Sequence, residues 1–474
     1  MSRTPLLNQA AEIASAYFDR RDSFPVFPNI TPERLRKAFG AGMPVPERGQ
    51  AAEQVIEDLA RTAEPGLVAH TGPRYFGFVI GGSLPVATAA DWLTSAWDQN
   101  SGLYATSPAA SVVEEVAAAW LLELLGLPRS ASVGFVTGCG MANFTALAAA
   151  RHYVLRKAGW NVELDGLNGA PPINIILGEE AHVTIHTALR MLGLGTRSIK
   201  NVPTDEQGRM VASALVKVLK NCKGPTIVCA QAGNVNTGAF DPLEEIADAA
   251  RQAGAWLHVD GAFGLWAAVS DEFKHLVAGA ELADSWATDG HKWLNVPYDC
   301  GLIICAHPEA HRASMTVTAA YLVQSDKERD PFEWTPEFSR RGRGFTVYAA
   351  IKHLGRSGVR DMVERCCARA RQMADLLRKH PSVEILNDVV LNQVLVRFKN
   401  SDDFTRTVIQ RVQQDGTCWL GGTTWHNMAA MRISISNWST TEKDIELSAQ
   451  AILHAIQHSG ARSAKSGCEQ CSHV

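Results

Sequence analysis

The sequence has no surplus of charge of one sign, no apolar run long enough to cross a bilayer, no cysteine framework and no internal repeat. Each absence excludes something. Lysine plus arginine number 45 against 49 aspartates plus glutamates, a formal charge of -4, so no global field draws the chain to nucleic acid or anionic lipid. The roughly 18 consecutive apolar residues of a spanning helix are missing, and Met1 to Ala10 has no signal-peptide core. The expected location is therefore cytoplasmic, with no membrane and no nucleic acid as partner and a small neutral or zwitterionic molecule instead. The ten cysteines are scattered through helix-like and strand-like segments, which favours reduced thiols. The one Cys-x-x-Cys, Cys468 to Cys471, has only His473 beside it in a polar stretch; it reads as part of a disordered tail, 461–474, and no metal is expected.

What is present is the composition of a globular enzyme: 474 residues, 46% hydrophobic and 20% charged, enough for two or three domains with a substantial core. Helix-like stretches at 8–20 and 32–39, joined by the Pro-rich turns "FPVFPNITP" and "GMPVPERG", predict an N-terminal helical arm over 1–70. From about Gly72 short apolar strands alternate with helices, among them "INIILG", "TIVCAQAG", "WLHVDGA", "DSWATDG" and "CGLIICAH". Such near-continuous apolar strands predict an α/β domain over 71–344, its mostly parallel sheet covered on both faces. Strands "VEILN", "VVLNQVLVRFK" and "MRISISNW" with flanking helices predict a smaller α+β domain over 345–460.

In an open parallel sheet, ligands bind outside the carboxyl ends of the strands. After "GFV" comes Thr137-Gly138-Cys139-Gly140, a small-residue turn opening a helix, where backbone N–H groups can approach a phosphate. His182 follows "INIILG". Asp260 ends the strand "WLHVD", where an unpaired charge is costly and a cation should face it. Lys292, preceded by His291, follows "DSWATDG", 32 residues beyond Asp260. Pyridoxal 5'-phosphate accounts for all four features: lysine forms a Schiff base with its aldehyde, aspartate keeps its pyridine nitrogen protonated, and the helix start holds its phosphate. A plain Asp260–Lys292 ion pair would leave the Gly turn and His182 unexplained.

The segments "WLHVDGAFG", "ADSWATDGHKW", "VTGCGMANFTAL", "SPAASVVEEVAAAWLLELLGLP" and "GPRYFGFVIGGSLPVATAADWL" resemble the group II pyridoxal-phosphate-dependent amino-acid decarboxylases, over roughly 70–459. The resemblance implies fold-type I, aspartate aminotransferase-like architecture and a homodimer with active sites shared between subunits. It also implies decarboxylation of an L-amino acid to the amine and carbon dioxide. By position, Lys292 resembles the cofactor-linking lysine, His291 its neighbour, Asp260 the pyridine-nitrogen partner and Ala262 the small residue under the ring. His182 resembles the ring-stacking histidine that takes part in proton transfer. Gly138 and Cys139 fall where the family presents small residues to the phosphate, and Asn234 and Asn236 fall where relatives carry cofactor-contacting threonines.

Tyr75, Phe76, Phe78 and Trp92 lie in the segment with which the family lines its side-chain pocket, which favours an aromatic or hydrophobic substrate over glutamate. Arg432 is expected to be a buried structural ion pair, with an α-carboxylate contact as the second reading, and the Arg340, Arg341, Arg343 run a solvated or interface patch. The family's mobile loop corresponds to "YLVQSDKERDPFEW", and Pro331-Phe332 stands where its catalytic tyrosine belongs. Related plant enzymes with phenylalanine there carry out decarboxylation with oxidative deamination to an aldehyde. Phe332 thus joins Tyr75 and Phe78 as an expected substrate contact, Tyr321 or a residue of the second subunit is the expected substitute proton donor, and aldehyde formation or transamination stays open as the alternative outcome.

Overall fold

The computed structural model describes residues 4–317 and 328–459. Tyr321, Cys468, Cys471 and the expected tail lie outside the described residues. Three helices open the chain, α1 (Thr4–Arg20), α2 (Pro32–Ala38) and α3 (Ala52–Ala63), and none of them buries a residue. Thr31 starts α2 by accepting the Arg34 N–H, with Pro32 in the first turn. Helices α4 (Pro85–Trp97) and α5 (Pro108–Leu124) follow, α5 capped by Ser107.

The main sheet is built from β1 (Ser132–Val136), β2 (Asn174–Gly178), β3 (Lys200–Val202), β4 (Thr226–Gln231), β5 (Trp256–Asp260), β6 (Ser285–Asp289) and β7 (Gly301–Cys305), in the order β1-β7-β6-β5-β4-β2-β3. Only β7 runs antiparallel to its neighbours, β1 and β6. Between the strands lie α6 (Cys139–Lys157), the short α7 (Val162–Asp165), α8 (Val183–Met191), α9 (Ala212–Lys220) and α10 (Leu243–Gln252), with α11 (Pro308–Met315) after β7. The strands read as unbroken apolar runs because both faces are covered. Beneath that uniformity the two-residue alternation persists. Ile175, Leu177, Ile227, Cys229, Trp256 and Ile303 join the cluster around α6 and α8, whereas Ile176, Val228, Leu257, Val259, Leu302 and Ile304 join the one that includes α5, α9 and α10.

Helix α12 (Gly344–Arg378) fuses two helices expected from sequence, with Gly355 at φ 62° marking the kink between them. A second sheet, order β10-β11-β9-β8, is antiparallel throughout: β8 (Val383–Ile385), β9 (Gln393–Phe398), β10 (Gly421–Trp425) and β11 (Met428–Ser434). Helices α13 (Asp402–Asp415) and α14 (Glu442–Ser459) pack with it. The arginine run is not a solvated patch. Arg340 is buried and meets the buried Glu114 at 2.8 Å, Arg343 meets Asp299 at 2.8 Å, and only Arg341, on Asp91, is largely exposed.

Candidate active site

The carboxyl ends of β2, β4, β5 and β6 open on one cavity of about 320 Å³, lined by Lys292, Asp260, His182 and Ala262 together with Phe78, Tyr298 and Arg432. A larger groove, about 1070 Å³, runs along α4, α12 and the start of α14 and contains none of these residues. Chemistry, not size, singles out the smaller one.

Lys292 does not pair with Asp260. Its Nζ lies 2.9 Å from Oδ2 of Asp289, the last residue of β6, whose Oδ1 accepts the Cys139 N–H at 2.6 Å. Burial pushes the Lys292 ammonium down, but the Asp289 carboxylate, together with Cys139 and Asp260, more than offsets it and holds the group well above its ordinary range. His291, behind the lysine, accepts the Cys300 N–H on Nδ1 at 3.1 Å and stacks on Tyr298 at 4.2 Å. Burial lowers its proton affinity, so it is the neutral Nε2–H form that faces Asp289 at 3.5 Å.

Asp260 is buried, and its oxygens meet only neutral donors: the Cys139 thiol at 3.4 Å, the Asn143 amide at 3.1 Å and the Ala262 N–H at 3.2 Å. No ion pair among the described residues includes it. A buried carboxylate lacking a cation is costly. Gly138 precedes α6 without a side chain; a Cβ there would approach Cε1 of His291 to 3.2 Å. A side chain at that position would crowd His291 at the start of α6.

Several expected contacts lie elsewhere. The Cys139 N–H is already taken by Asp289, and its thiol faces Asp260. Asn234 is a turn former whose Oδ1 accepts the N–H groups of Asn236 and Thr237, while Asn236 meets Thr423. Tyr75 is buried flat against Trp419, ring centroids 5.1 Å apart, and does not line the cavity; Phe78, at φ 55°, does. Phe76 is core, and Trp92 on α4 is exposed away from the lining. Phe332 is turned inward, 2% exposed and packed on Phe338 at 4.8 Å, so this chain's cavity does not receive it. Trp293, beside the lysine, is likewise core.

The structure also corrects Arg432. It makes no ion pair with any described residue, and its Nε is buried without a hydrogen-bond partner. Burial alone lowers the affinity of its guanidinium for its proton. Sequence reasoning missed Asp289, Tyr298, Asn143 and His258. Only Asp289 carried a signal, as an acid three residues before the lysine at a strand end.

Asp260 lacks a cation that a protonated pyridine supplies, and Lys292 is the amine an aldehyde would take. The residues fit pyridoxal phosphate, and the fold is that of a fold-type I pyridoxal-phosphate enzyme. Residues 32–399 match the family described as the pyridoxal-dependent decarboxylase conserved domain, and the chain belongs to it. It is an amino-acid decarboxylase that uses pyridoxal phosphate. Its relatives include an aromatic-L-amino-acid decarboxylase of Bacillus atrophaeus, 27% identical over 93% of this chain and 92% of that one. A 4-hydroxyphenylacetaldehyde synthase of Rhodiola rosea is 25% identical over 92% and 91%. In fold the chain is similar to the crystal structure of Oryza sativa TDC with PLP and tryptamine, with a TM-score of 0.89, 23% identity, and 95% and 97% of the two chains covered.

Proposed function

We propose that the protein decarboxylates an aromatic or other hydrophobic L-amino acid to the amine, as a cytoplasmic homodimer. The observation that carries the substrate reading is Arg432, an unpaired cation in a cavity whose walls include Phe78, Val79, Ile80, Val235 and Phe263. Lys292 is committed to the cofactor, so Arg432 is the one remaining cation in the described lining. It takes the α-carboxylate, which leaves no cation for a second carboxylate on the side chain, and the apolar walls take a ring.

Bound pyridoxal phosphate supplies the electron sink that lets the bond to the carboxylate break. The chain's own groups orient the substrate and return a proton to Cα. With Phe332 buried, the phenol offered by the described lining is Tyr298. Burial, then Asp289, push its hydroxyl up to about 12, so it stays protonated at neutral pH. His182, pushed down by burial, is neutral there and can also pass a proton.

The homodimer reading is supported by the arm. Helices α1, α2 and α3 bury nothing in the single chain and leave Phe18, Val55 and Leu59 exposed, a surface suited to a second copy. Light scattering should give twice 51.3 kDa. The location reading is compatible with the described helices, none of which is long and apolar enough to cross a membrane. The partition 1–70, 71–344 and 345–460 belongs to the same proposal; α12 begins at Gly344.

Incubation with a panel of amino acids, following carbon dioxide, amine, aldehyde and peroxide together, tests the reaction. Carbon dioxide with amine and without peroxide supports it. Aldehyde with peroxide replaces it by oxidative deamination, and keto acid without carbon dioxide contradicts decarboxylation.

A further inference from the structure

Asp260 and His182 are joined through the interior by one line of hydrogen bonds. The Trp256 indole donates to Ser285 Oγ at 2.9 Å, and Ser285 Oγ lies 2.9 Å from His258 Nδ1. His258 Nε2 lies 2.9 Å from Asn143 Oδ1. The Asn143 amide reaches Asp260 Oδ2 at 3.1 Å and Thr184 Oγ1 at 3.2 Å, and Thr184 Oγ1 lies 2.8 Å from His182 Nδ1. Asn143, His258 and Ser285 are completely buried, out of reach of bulk water.

The ends of the line fix its direction. An indole only donates and a carboxylate only accepts. The Asn143 atom facing Asp260 must therefore be the amide nitrogen and the one facing His258 the oxygen, whichever way the amide is drawn. That oxygen needs a donor, so His258 carries its proton on Nε2. Burial pushes His258 down to about 4, so it is neutral near pH 7 and its bare Nδ1 takes the Ser285 hydroxyl proton. At the other end the Thr184 backbone N–H also points at His182 Nδ1, at 3.4 Å. That nitrogen is therefore bare, the Thr184 hydroxyl donates to it, and the His182 proton sits on Nε2.

We propose that Asn143, held by His258, is a positioning residue for the cofactor ring: one side-chain amide aims Asp260 at the pyridine nitrogen and, through Thr184, fixes His182 as its Nε2–H tautomer. The amide cannot flip, because a flip would set its nitrogen against the His258 N–H and its oxygen against the Asp260 carboxylate. The ring's nitrogen partner and its face partner are thus set by the same side chain. The tautomers follow from the chain alone, whereas the effect on the ring rests on the pyridoxal-phosphate reading of the cavity.

The test is nitrogen NMR of the full chain labelled in histidine, with and without pyridoxal phosphate, the two signals assigned through His182→Gln and His258→Gln. Both histidines should show a protonated Nε2 and a bare Nδ1. Thr184→Val, which removes the hydroxyl but keeps the backbone N–H, should shift the His182 Nδ1 signal with the Nε2–H tautomer weakened and leave His258 untouched, and Thr184→Ser should restore it. Asn143→Leu should disturb both histidines and weaken pyridoxal phosphate about tenfold, the loss of one hydrogen bond to a charged acceptor. A protonated Nδ1 on either wild-type histidine, or unchanged signals in Thr184→Val, overturns the proposal even if Asn143→Leu does not fold. Expected tautomers in a wild-type protein that binds no pyridoxal phosphate would instead sink the cofactor reading and leave the line of hydrogen bonds standing.

Discussion

Replacing Arg432 by leucine separates substrate recognition from folding. The guanidinium is desolvated, and no described acid compensates it. Removing it strands no partner charge, so the folded protein should be as stable as before or slightly more stable. The substrate does lose a partner. A hydrogen bond between charged groups contributes about 1.5–3 kcal/mol, which corresponds to a fall of roughly 10- to 150-fold in kcat/KM at 1.4 kcal/mol per factor of ten. The assay compares kcat/KM for the preferred amino acid with inhibition by the matching amine, which lacks the carboxylate. Arg432→Leu should lower the first by that factor and leave the second within about twofold, a difference of at most ~0.4 kcal/mol, with Tm unchanged or raised. Unchanged kcat/KM, an equal loss of amine binding, or a Tm drop of several degrees would refute the assignment of Arg432 to the carboxylate.

Arg340→Leu should behave in the opposite way. It leaves Glu114 buried and unpaired, so chemical denaturation should show a loss of about 3–5 kcal/mol. In Gly301→Ala the new Cβ would lie 2.3 Å from the carbonyl carbon of Gly138, so the start of α6 must shift, and titration should show pyridoxal phosphate binding weakened at least tenfold, about 1.4 kcal/mol or more. Burial depresses His258 to about 4 and His311 to about 3. Because these folded values lie below the unfolded one near 6.5, the stability they contribute is present above about pH 6.5 and is lost as pH falls toward 3, about 3 kcal/mol or more per group. His311→Gln, which keeps a donor for the Trp334 carbonyl, should flatten that acid limb in urea melts. Tyr298→Phe should lower amine formation at least tenfold, about 1.4 kcal/mol, while binding pyridoxal phosphate as before; unchanged turnover would remove Tyr298 as proton donor.

The sheet was legible because β2, β4, β5, β6 and β7 are short apolar runs, and the first four open at their carboxyl ends on the cavity. Strand ends on one edge of a parallel sheet converge, so Lys292, Asp260 and His182 could be grouped without coordinates. What pairs with what was not legible. Lys292 and Asp260 share a cavity, yet the ammonium goes to Asp289, because i and i+3 around a tight strand exit place them together. The line from Ser285 to Asp260 depends on side chains from three separate elements, and Asn143 in sequence is one polar residue in an alanine-rich helix. Phe332 was misplaced for a related reason: a loop position cannot show whether its ring faces the cavity or, as here, Phe338. Helix α13 went unread although Ser401 caps it and Gly416 ends it in a left-handed turn, since a low apolar content masks its periodicity.

The central claim is that Lys292 carries the cofactor, and one measurement tests it most directly. The purified protein, supplied with pyridoxal phosphate, is reduced with borohydride, followed by absorbance near the visible edge and digested for mass analysis. The band should vanish on reduction, the pyridoxyl group should be found on Lys292, and Lys292→Ala should show neither. No band with added cofactor, a label on another lysine, or an unchanged band in Lys292→Ala would contradict the account.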